Sequence, residues 1–277
     1  IESVLSGRDT LVLMPTGGGK SIIYQLPTLV SDGLCIVVTP LIALMKDQVD
    51  ALRRRGIPAV AVHSGLTSRQ IDIALDNCVY GDVKFLYVAP ERLSSEMFRL
   101  RVDRMNVSLL AIDEAHCISQ WGYDFRPSYL KIAEIRDIIA HSAASNSSQS
   151  ERPIAQRASN NQIPILALTA TATPDVVDDI QERLAFREKH VLRKSFLRQN
   201  LSYVVRQTNK KADEIVHILN KVPGSAIVYV RNRQRAQELS AYLQAKGLSA
   251  DFYHAGLTSQ ERSAKQEAWK RYSAPIS

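Results

Sequence analysis

The stretch MPTGGGKS, residues 14–21, decides the fold because of the segments on either side of it. The apolar run at 10–14 predicts a buried strand, and the residues after the glycines predict the start of a helix. A strand, a glycine-rich turn and a helix in this order present backbone N–H groups and the positive end of a helix to a phosphate. The stretch therefore predicts an α/β unit built around a phosphate-binding loop, called the P-loop here.

The P-loop residues suit the parts of a nucleoside triphosphate and its magnesium ion. The glycines let the backbone approach oxygen atoms closely, Lys20 can reach the β- and γ-phosphates, and the Ser21 hydroxyl can bind Mg²⁺. The predicted nucleotide-binding residues are Thr16, Gly17, Gly18, Gly19, Lys20 and Ser21. Met14 stands where the strict GxxxxGK[ST] pattern has its first glycine, so that pattern fails at one position. The alternative is a flexible glycine turn with an exposed lysine.

A second motif, DEAH at residues 113–116, ends the apolar run LLAI. Asp113 is placed to hold Mg²⁺, and Glu114 is placed to orient or activate an attacking water. Alone, these acids could be an ordinary strand end facing solvent. Together with the P-loop they predict a complete Mg-nucleotide site, with Lys20, Asp113 and Glu114 as catalytic residues and with Ser21 and Asp113 as metal ligands.

Apolar runs alternate with amphipathic segments along the first two thirds of the chain. Strands are predicted at 10–14, 35–39, 59–63, 84–88, 109–113 and 165–169, and helices at 43–55, 68–78 (opening on a capping serine) and 175–184. This alternation is typical of a parallel sheet covered by helices. A second series follows, with strands predicted at 201–206, 226–230 and 251–254 and a helix at 234–246 that stops at Gly247.

The chain is therefore expected to form two lobes of unequal size. We predict a first, nucleotide-binding lobe at 1–197 and an incomplete second lobe at 198–277. Residues 141–162 are rich in Ser, Asn and Gln and have little apolar content to offset their ordering entropy, so they are predicted to form a flexible surface insertion.

Composition narrows the class of protein. The 277 residues carry a formal charge of +7 with a pI near 9.3, which is compatible with a polyanionic partner. We find no uninterrupted run of 18 apolar residues and no secretory signal, and the three cysteines form no CxxC pair. We expect no membrane partner, no secretion, and a reducing compartment, cytoplasmic in a prokaryote or nuclear in a eukaryote.

Seven motifs occur in an order that resembles the RecQ family of superfamily-two DNA helicases. They are TGGGKS (16–21), TPLIALMKDQ (39–48), APERL (89–93), DEAHCISQWGYDFRP (113–127), LTATAT (168–173), YVRNR (229–233) and YHAGL (253–257). The resemblance implies two RecA-like lobes with parallel sheets flanked by helices, and ATP with Mg²⁺ in the cleft between them. It also implies 3′–5′ movement on single-stranded DNA and unwinding of forked DNA, in DNA repair and recombination.

The run after DEAH resembles the aromatic-rich loop of RecQ enzymes. Trp121, Tyr123 and Phe125 alternate in a polar stretch and are candidates for stacking on bases, which is indifferent to sequence. We favour Trp121 and Phe125, with Arg126 beside them, as DNA-binding residues. The alternative is that these rings fill the interface between the lobes.

Other motif residues are candidates for coupling the nucleotide to DNA. His116 could contact the γ-phosphate or the aromatic loop, and Thr169 and Thr171 could link the acids to DNA-dependent movement, although each could also be structural. Arg231 is predicted to contact the DNA backbone, as are the loops at 39–40, 63–65, 92, 231–233 and 254–256.

Three elements of the family pattern are missing from the sequence. The adenine-reading segment would lie before Ile1, the motifs after residue 257 include the one that supplies an arginine finger, and the zinc-binding and winged-helix regions also lie outside the sequence. An arginine finger is worth about 10³–10⁵ in rate. The expectation is a helicase fragment, or a naturally short form, that hydrolyses ATP weakly.

Two other functions fit parts of the sequence. An RNA helicase of the DEAH or DEAD type would share the nucleotide motifs but not the aromatic loop. A nucleotide-gated DNA-binding fragment without unwinding activity would explain the missing arginine finger but not the intact Lys20, Asp113 and Glu114.

Overall fold

The structure is a computed structural model that describes residues 1–122, 124–145, 163–197 and 200–273. It divides into two compact units, Ile1–Arg198 (unit 1) and Gln199–Ser277 (unit 2). The described strands are β1 Thr10–Leu13, β2 Leu34–Val38, β3 Ala59–Val62, β4 Phe85–Val88, β5 Val107–Ile112, β6 Ile165–Thr169 and β7 Val191–Arg193. The described α-helices are α1 Glu2–Leu5, α2 Lys20–Val30, α3 Ile42–Arg54, α4 Ser68–Tyr80, α5 Glu96–Val102, α6 Ile132–Ser145, α7 Pro174–Arg183, α8 Lys211–Lys221, α9 Arg233–Ala245 and α10 Ser259–Ser273.

All seven strands form one sheet in unit 1, in the order β3-β4-β2-β5-β6-β1-β7, and every pairing is parallel. The α/β class predicted from the sequence is thereby confirmed. The six predicted strands of the first lobe are present, with boundaries within two residues of those expected. The edge strand β7 was not predicted.

Both faces of the sheet are buried, as the continuous apolar runs predicted. Alternate residues of each strand point to opposite faces, so Leu11 and Leu13 join one core while Val12 joins the other. Helices α4 to α7 supply the first core, and α1 to α3 supply the second. An apolar core on each face of the sheet therefore fixes the positions of the strand ends.

The carboxyl end of each strand lies at the same edge, because the sheet is wholly parallel. In open α/β sheets, ligands bind outside this edge. The motif segments of unit 1 follow these ends: the P-loop after β1, Thr39 after β2, His63 after β3, Ala89 after β4, Asp113 after β5 and Ala170 after β6. The topology thus gathers motifs that are more than 150 residues apart in the sequence.

A buried ion cluster fixes the opposite end of the sheet. The Asp9 side chain is 1% exposed and accepts hydrogen bonds from Arg136 Nη2 at 2.8 and 2.9 Å. It also accepts from the backbone N–H groups of Ile165 and Arg187, both at 2.9 Å, and from the Arg187 guanidinium. Burial alone would raise the pKa of Asp9. The hydrogen bonds and the nearby guanidinium groups have the larger combined effect, so the pKa is lowered.

The structure corrects three sequence-based expectations. The N-cap of α4 is Thr67, in a capping box with Gln70, rather than Ser68. The first five residues of the expected flexible insertion 141–162 belong to α6, since the helix runs on through an alanine pair, and 146–162 lie outside the described residues. The segments 201–206, 226–230 and 251–254 are not strands, and the described part of unit 2 contains helices joined by irregular backbone.

The three cysteines, Cys35, Cys78 and Cys117, are all buried and free. Burial raises the pKa of each thiol to about 12. Within the described ranges, no helix combines the length and apolar character needed to cross a membrane.

Candidate nucleotide and nucleic-acid site

The P-loop leaves β1 and enters α2 through two left-handed glycines. Gly17 and Gly19 have φ of 76° and 87°, a region that favours glycine, and Gly19 is the N-cap of α2. At Gly18, a Cβ atom would lie 2.8 Å from the Pro15 carbonyl oxygen. The curled backbone therefore needs glycine at each of these positions, which fits a loop that wraps around phosphate oxygens.

The basic and acidic motif residues meet at the start of α2. Lys20 Nζ lies 3.8 Å from Glu114 Oε1, with both side chains mostly buried. Burial and the neighbouring Glu114 charge raise the pKa of Asp113, and Lys20 opposes that rise. The predicted catalytic residues Lys20, Asp113 and Glu114 are thus brought together, and their charges are coupled.

The backbone at DEAH is bent to aim the two acids. Glu114 has φ 48° and ψ 47°, a left-handed conformation that costs a non-glycine residue about 1–2 kcal/mol. Its N–H donates to Asp113 Oδ1 at 3.0 Å, and the Asp113 carbonyl accepts from the Tyr129 hydroxyl at 3.0 Å. Strain of this kind is concentrated at functional sites.

His116 joins the acids to the LTATAT segment. Its Nδ1 lies 2.9 Å from Thr169 Oγ1 and 3.4 Å from Glu114 Oε2. Thr169 Oγ1 donates to the Thr171 carbonyl at 3.3 Å and accepts the Thr171 N–H at 3.2 Å. Because the single hydroxyl proton is used there, we assign the proton to His116 Nδ1. The three predicted coupling residues form one connected network with Glu114.

Among the described residues of the aromatic loop, the Trp121 ring is exposed and the backbone beside it is tightly packed. The Trp121 side chain is 79% exposed, Phe125 is partly buried, and Tyr123 lies outside the described residues. A Cβ on Gly122 would meet the His116 carbonyl oxygen at 2.8 Å, so the backbone beside Trp121 rests on the DEAH segment. Arg126 donates to Asp124 Oδ2 at 3.2 Å and to the Pro40 carbonyl at 3.5 Å.

A cleft of about 280 Å³ lies between the P-loop and the aromatic loop. Its lining residues come from the P-loop, the loop after β2, the DEAH segment, the aromatic loop and the LTATAT segment: Thr16, Pro40, Leu41, Glu114, His116, Asp124, Ala170 and Thr171. Asp124 was not predicted from the sequence; it lines this cleft, and its carboxylate accepts hydrogen bonds from Arg126 and from the Cys117 thiol. Its place between two aromatic residues was the only available signal.

The loops that follow β2, β3 and β4 carry basic residues. Arg92 Nη2 donates to the His63 carbonyl at 3.5 Å, and the Gly65 N–H donates to His63 Nδ1 at 3.0 Å. Burial lowers the pKa of His63, and the charges of Lys46 and Arg92 lower it further. Thr39 Oγ1 is buried without a hydrogen-bond partner. Cationic side chains and a hydroxyl without a partner could bind the phosphate groups of a nucleic-acid backbone.

Arg231 lies in unit 2, where it is exposed and stands two residues before the start of α9. The next residue, Asn232, caps α9 by accepting the Arg235 N–H at 2.8 Å. The DNA-binding role of Arg231 stays a prediction.

Two buried tyrosines near the P-loop were also missed by the sequence analysis. Tyr24 and Tyr87 are 3% and 1% exposed, and their hydroxyl oxygens lie 3.1 Å apart. Burial raises the pKa of Tyr87 to about 12. Both residues lie in apolar segments, a strand and a helix face, that predict core positions, and no sequence pattern marks their hydroxyl groups.

Comparison with known proteins identifies the family of the chain. A family model described as DEAD/DEAH box helicase matches residues 1–180. The chain is 37% identical over 272 residues to the "ATP-dependent DNA helicase RecQ" of Pasteurella multocida, covering 98% of this chain and 40% of that protein. It is 41% identical over 261 residues to the protein of that name from Bacillus subtilis, covering 94% and 41%. The chain thus spans about two fifths of these curated relatives.

The chain belongs to the DEAD/DEAH box helicase family. Within it, these relatives are RecQ helicases, so the resemblance drawn from the sequence motifs is confirmed. A solved structure, the "Pyrococcus furiosus Hef helicase domain", aligns with 97% of this chain and 51% of that chain at 16% identity and a TM-score of 0.48. The fold assignment rests on the parallel sheet and its motif-bearing edge.

Proposed function

We propose that this chain is the ATP-binding core of a RecQ-type, ATP-dependent DNA helicase. In this proposal ATP hydrolysis drives 3′–5′ movement along single-stranded DNA and the unwinding of forked DNA, in repair and recombination. The observation that carries it is the shared cleft, which is lined by residues of the P-loop, by Glu114, by the coupling network and by the aromatic loop. A site that only bound a nucleotide would need neither the coupling network nor the aromatic loop.

The nucleotide half of the proposal gives each residue a task. The P-loop amides and Lys20 would bind the phosphates of ATP, and Ser21 and Asp113 would hold Mg²⁺, which supplies charge neutralisation. Lys20 is paired with Glu114 at 3.8 Å. If Lys20 turned to a bound phosphate, Glu114 would lose this partner and would be free to orient the attacking water. His116 is hydrogen bonded to Thr169 and lies close to Glu114. It would therefore transmit a movement of Glu114 to the LTATAT segment.

The DNA half rests on the basic loops after β2, β3 and β4 and on the exposed ring. Arg92, Lys46 and Thr39 would contact phosphate oxygens without reading bases, while Trp121 would stack on a base. Because both contacts are indifferent to sequence, we expect little base preference. We propose a cytoplasmic or nuclear location, where such a DNA substrate is found.

The test is steady-state ATP hydrolysis with and without single-stranded DNA, using the unaltered chain and Lys20→Ala. We expect hydrolysis to rise with DNA and to vanish in the variant. The matched control is Lys189→Ala, an exposed lysine paired with Asp178 and Glu182, which should hydrolyse normally. Duplexes with 3′ or 5′ tails test direction.

Other outcomes decide between the candidate functions. Stimulation by RNA and not by DNA would replace the proposal with an RNA helicase. Nucleotide-dependent DNA binding with no stimulated hydrolysis would replace it with a gated binding module. The expected weak basal rate stays a prediction that the same assay measures.

A further inference from the structure

A buried tyrosine hydroxyl contacts the backbone between the two acids of DEAH. Tyr129 is fully buried, and its hydroxyl donates to the Asp113 carbonyl at 3.0 Å. Burial raises the pKa of Tyr129 well above its usual value, so the phenol keeps its proton and remains a donor. The contact falls on the peptide unit that joins Asp113, the proposed magnesium ligand, to Glu114, the proposed water-orienting acid.

That peptide unit is held on both sides. Its carbonyl accepts from Tyr129, and its N–H, which belongs to Glu114, donates to Asp113 Oδ1 at 3.0 Å. The N–H of Asp113 itself donates to the Val38 carbonyl at 2.8 Å, which fixes the preceding peptide to the end of β2. These hydrogen bonds together define the orientation of the peptide between the two acids.

The orientation is strained at Glu114, whose φ of 48° and ψ of 47° lie in the left-handed region. A rotation of the planar peptide changes ψ of Asp113 and φ of Glu114 together, and would carry Glu114 to a negative φ. The same rotation would turn the Asp113 carbonyl away from Tyr129. One hydrogen bond and one left-handed residue are similar in free energy, so the Tyr129 hydroxyl is enough to decide between the two orientations.

The ring of Tyr129 is fixed by the segment that carries it. It lies in the short 3₁₀ helix Pro127–Lys131, which directly follows the aromatic loop, and it belongs to the first apolar core. The Arg126 N–H donates to the Cys117 carbonyl at 2.8 Å, and the Tyr129 N–H donates to the Arg126 carbonyl at 2.9 Å. A hydroxyl on a fixed ring has a defined position, which an orienting group requires.

We propose that Tyr129 is a positioning residue that keeps Glu114 aimed at the attacking water by holding the Asp113–Glu114 peptide in its strained orientation. Without the hydroxyl, the peptide turns toward the relaxed orientation and Glu114 moves out of line. The P-loop is not involved, so nucleotide affinity should change little. The inference rests on the proposed function, because it takes Glu114 as the residue that orients the water.

The first test observes this peptide directly and needs no nucleotide. The sequence contains two Asp–Glu pairs, Asp113–Glu114 and Asp213–Glu214. With ¹³C-labelled aspartate carbonyls and ¹⁵N-labelled glutamate, these two peptides alone give a carbonyl–nitrogen correlation in the NMR spectrum. We expect Tyr129→Phe to shift the Asp113–Glu114 signal. The Asp213–Glu214 signal, from the first turn of α8, should stay unchanged and serves as the internal reference.

The second test measures ATP hydrolysis by the full chain with single-stranded DNA. We expect Tyr129→Phe to lower kcat about tenfold. KM and the affinity for a fluorescent ATP analogue should change by less than about threefold. In a Glu114→Gln background, Tyr129→Phe should cause no further loss of kcat, because it acts through the Glu114 carboxylate.

Thr28→Val is the matched control. The Thr28 side chain is 1% exposed, and its hydroxyl also donates to a backbone carbonyl, that of Tyr24, at 2.8 Å. This variant removes the same kind of hydrogen bond and should leave both kcat and the Asp113–Glu114 signal unchanged. Thermal unfolding without ligand records the loss of stability in each variant separately.

Either of two results in Tyr129→Phe would overturn the inference: an Asp113–Glu114 signal at its parent position, or an unchanged kcat. A parent chain in which DNA does not stimulate hydrolysis would instead overturn the proposed function, and the water-orienting role with it. The peptide signal would still show whether Tyr129 holds the backbone, so the two failures are distinguishable.

Discussion

At the scale of single residues, Gly18 shows how little room the P-loop leaves. A Cβ there would lie 2.8 Å from the Pro15 carbonyl oxygen and 3.3 Å from the Met14 side chain. Gly18→Ala should therefore distort the loop and weaken nucleotide binding by about tenfold or more, which is roughly 1.4 kcal/mol. Equilibrium titration with a fluorescent nucleotide measures this.

Gly56→Ala is the matched control for that prediction. Its φ is +73° and a Cβ would meet nothing within 4 Å, so the change strains the backbone outside the P-loop without a steric clash. It should lower stability by about 1 kcal/mol and leave nucleotide affinity intact. Equal nucleotide affinity in Gly18→Ala and the parent chain would contradict the assigned role of the loop.

Trp121 offers a second test at this scale. Because its side chain is 79% exposed, Trp121→Ala should not change the unfolding midpoint. It should weaken single-stranded DNA binding by about 1–3 kcal/mol, and Trp121→Phe should restore most of that loss. Fluorescence anisotropy measures both. Normal DNA affinity with altered stability would favour the alternative, in which the aromatic rings fill an interface.

The candidate catalytic and coupling residues could be selected from the sequence because each lies in a short motif at or shortly after the end of a strand. Lys20, Asp113 and Glu114 meet because parallel strands place their carboxyl ends together. Asp124 and the Tyr129 hydroxyl could not be read in this way. Their roles depend on which hydroxyl or carboxylate faces which neighbour across the fold, and no local pattern encodes that.

At the scale of elements, the Asp9 cluster ties the sheet to α6 and to the segment before β7. Asp9→Asn would leave the 3% exposed Arg136 side chain without its carboxylate and should cost about 3–5 kcal/mol. Asp178→Asn, at an exposed pair with Lys189, should cost under about 1 kcal/mol. Urea unfolding at neutral pH compares the two variants.

The same cluster predicts a pH dependence. Because the folded pKa of Asp9 is lowered, its contribution to stability is present above the unfolded pKa of about 3.9. It is lost as the pH falls through the folded value. The stability difference between the parent chain and Asp9→Asn should therefore shrink between about pH 5 and pH 2. A difference that stays constant over that range would contradict the assigned ion cluster.

Strands and helices could be predicted where the spacing of apolar residues matched the side chains that the fold buries. The six buried strands have apolar runs with no rival helical interpretation, and all six are present. β7 has three residues, two of them exposed, so no pattern marked it. The segments 201–206, 226–230 and 251–254 have β-branched or aromatic residues, but strand propensity needs partner strands, and the described part of unit 2 supplies none.

At the scale of the whole molecule, the two units differ greatly in core. Unit 1 holds the seven-stranded sheet and both apolar cores, whereas Leu243 is the one buried apolar residue among those described in unit 2. Residues 1–198 alone should therefore unfold cooperatively and bind nucleotide within about threefold of the full chain. Residues 199–277 alone should show no cooperative transition. Calorimetry measures both, and a sharp transition in the smaller piece would contradict this view.

Salt dependence separates the two kinds of DNA contact across the molecule. Each phosphate neutralised on a single strand contributes a slope of about −0.7 to log K against log salt. Arg92→Ala should reduce the magnitude of that slope by about 0.7, whereas Trp121→Ala should lower affinity at every salt concentration with the slope unchanged. Identical slopes in the parent chain and Arg92→Ala would remove Arg92 from the proposed phosphate track.

The buried cysteines have a practical consequence. With the pKa of all three thiols at about 12, the native chain should react very slowly with maleimide dyes at neutral pH. Tyr80→Cys in unit 1 and Val205→Cys in unit 2 replace side chains that are 70% and 98% exposed. Dyes attached there would report by energy transfer whether the distance between the two labelled positions changes when ATP is added, with every native cysteine left in place.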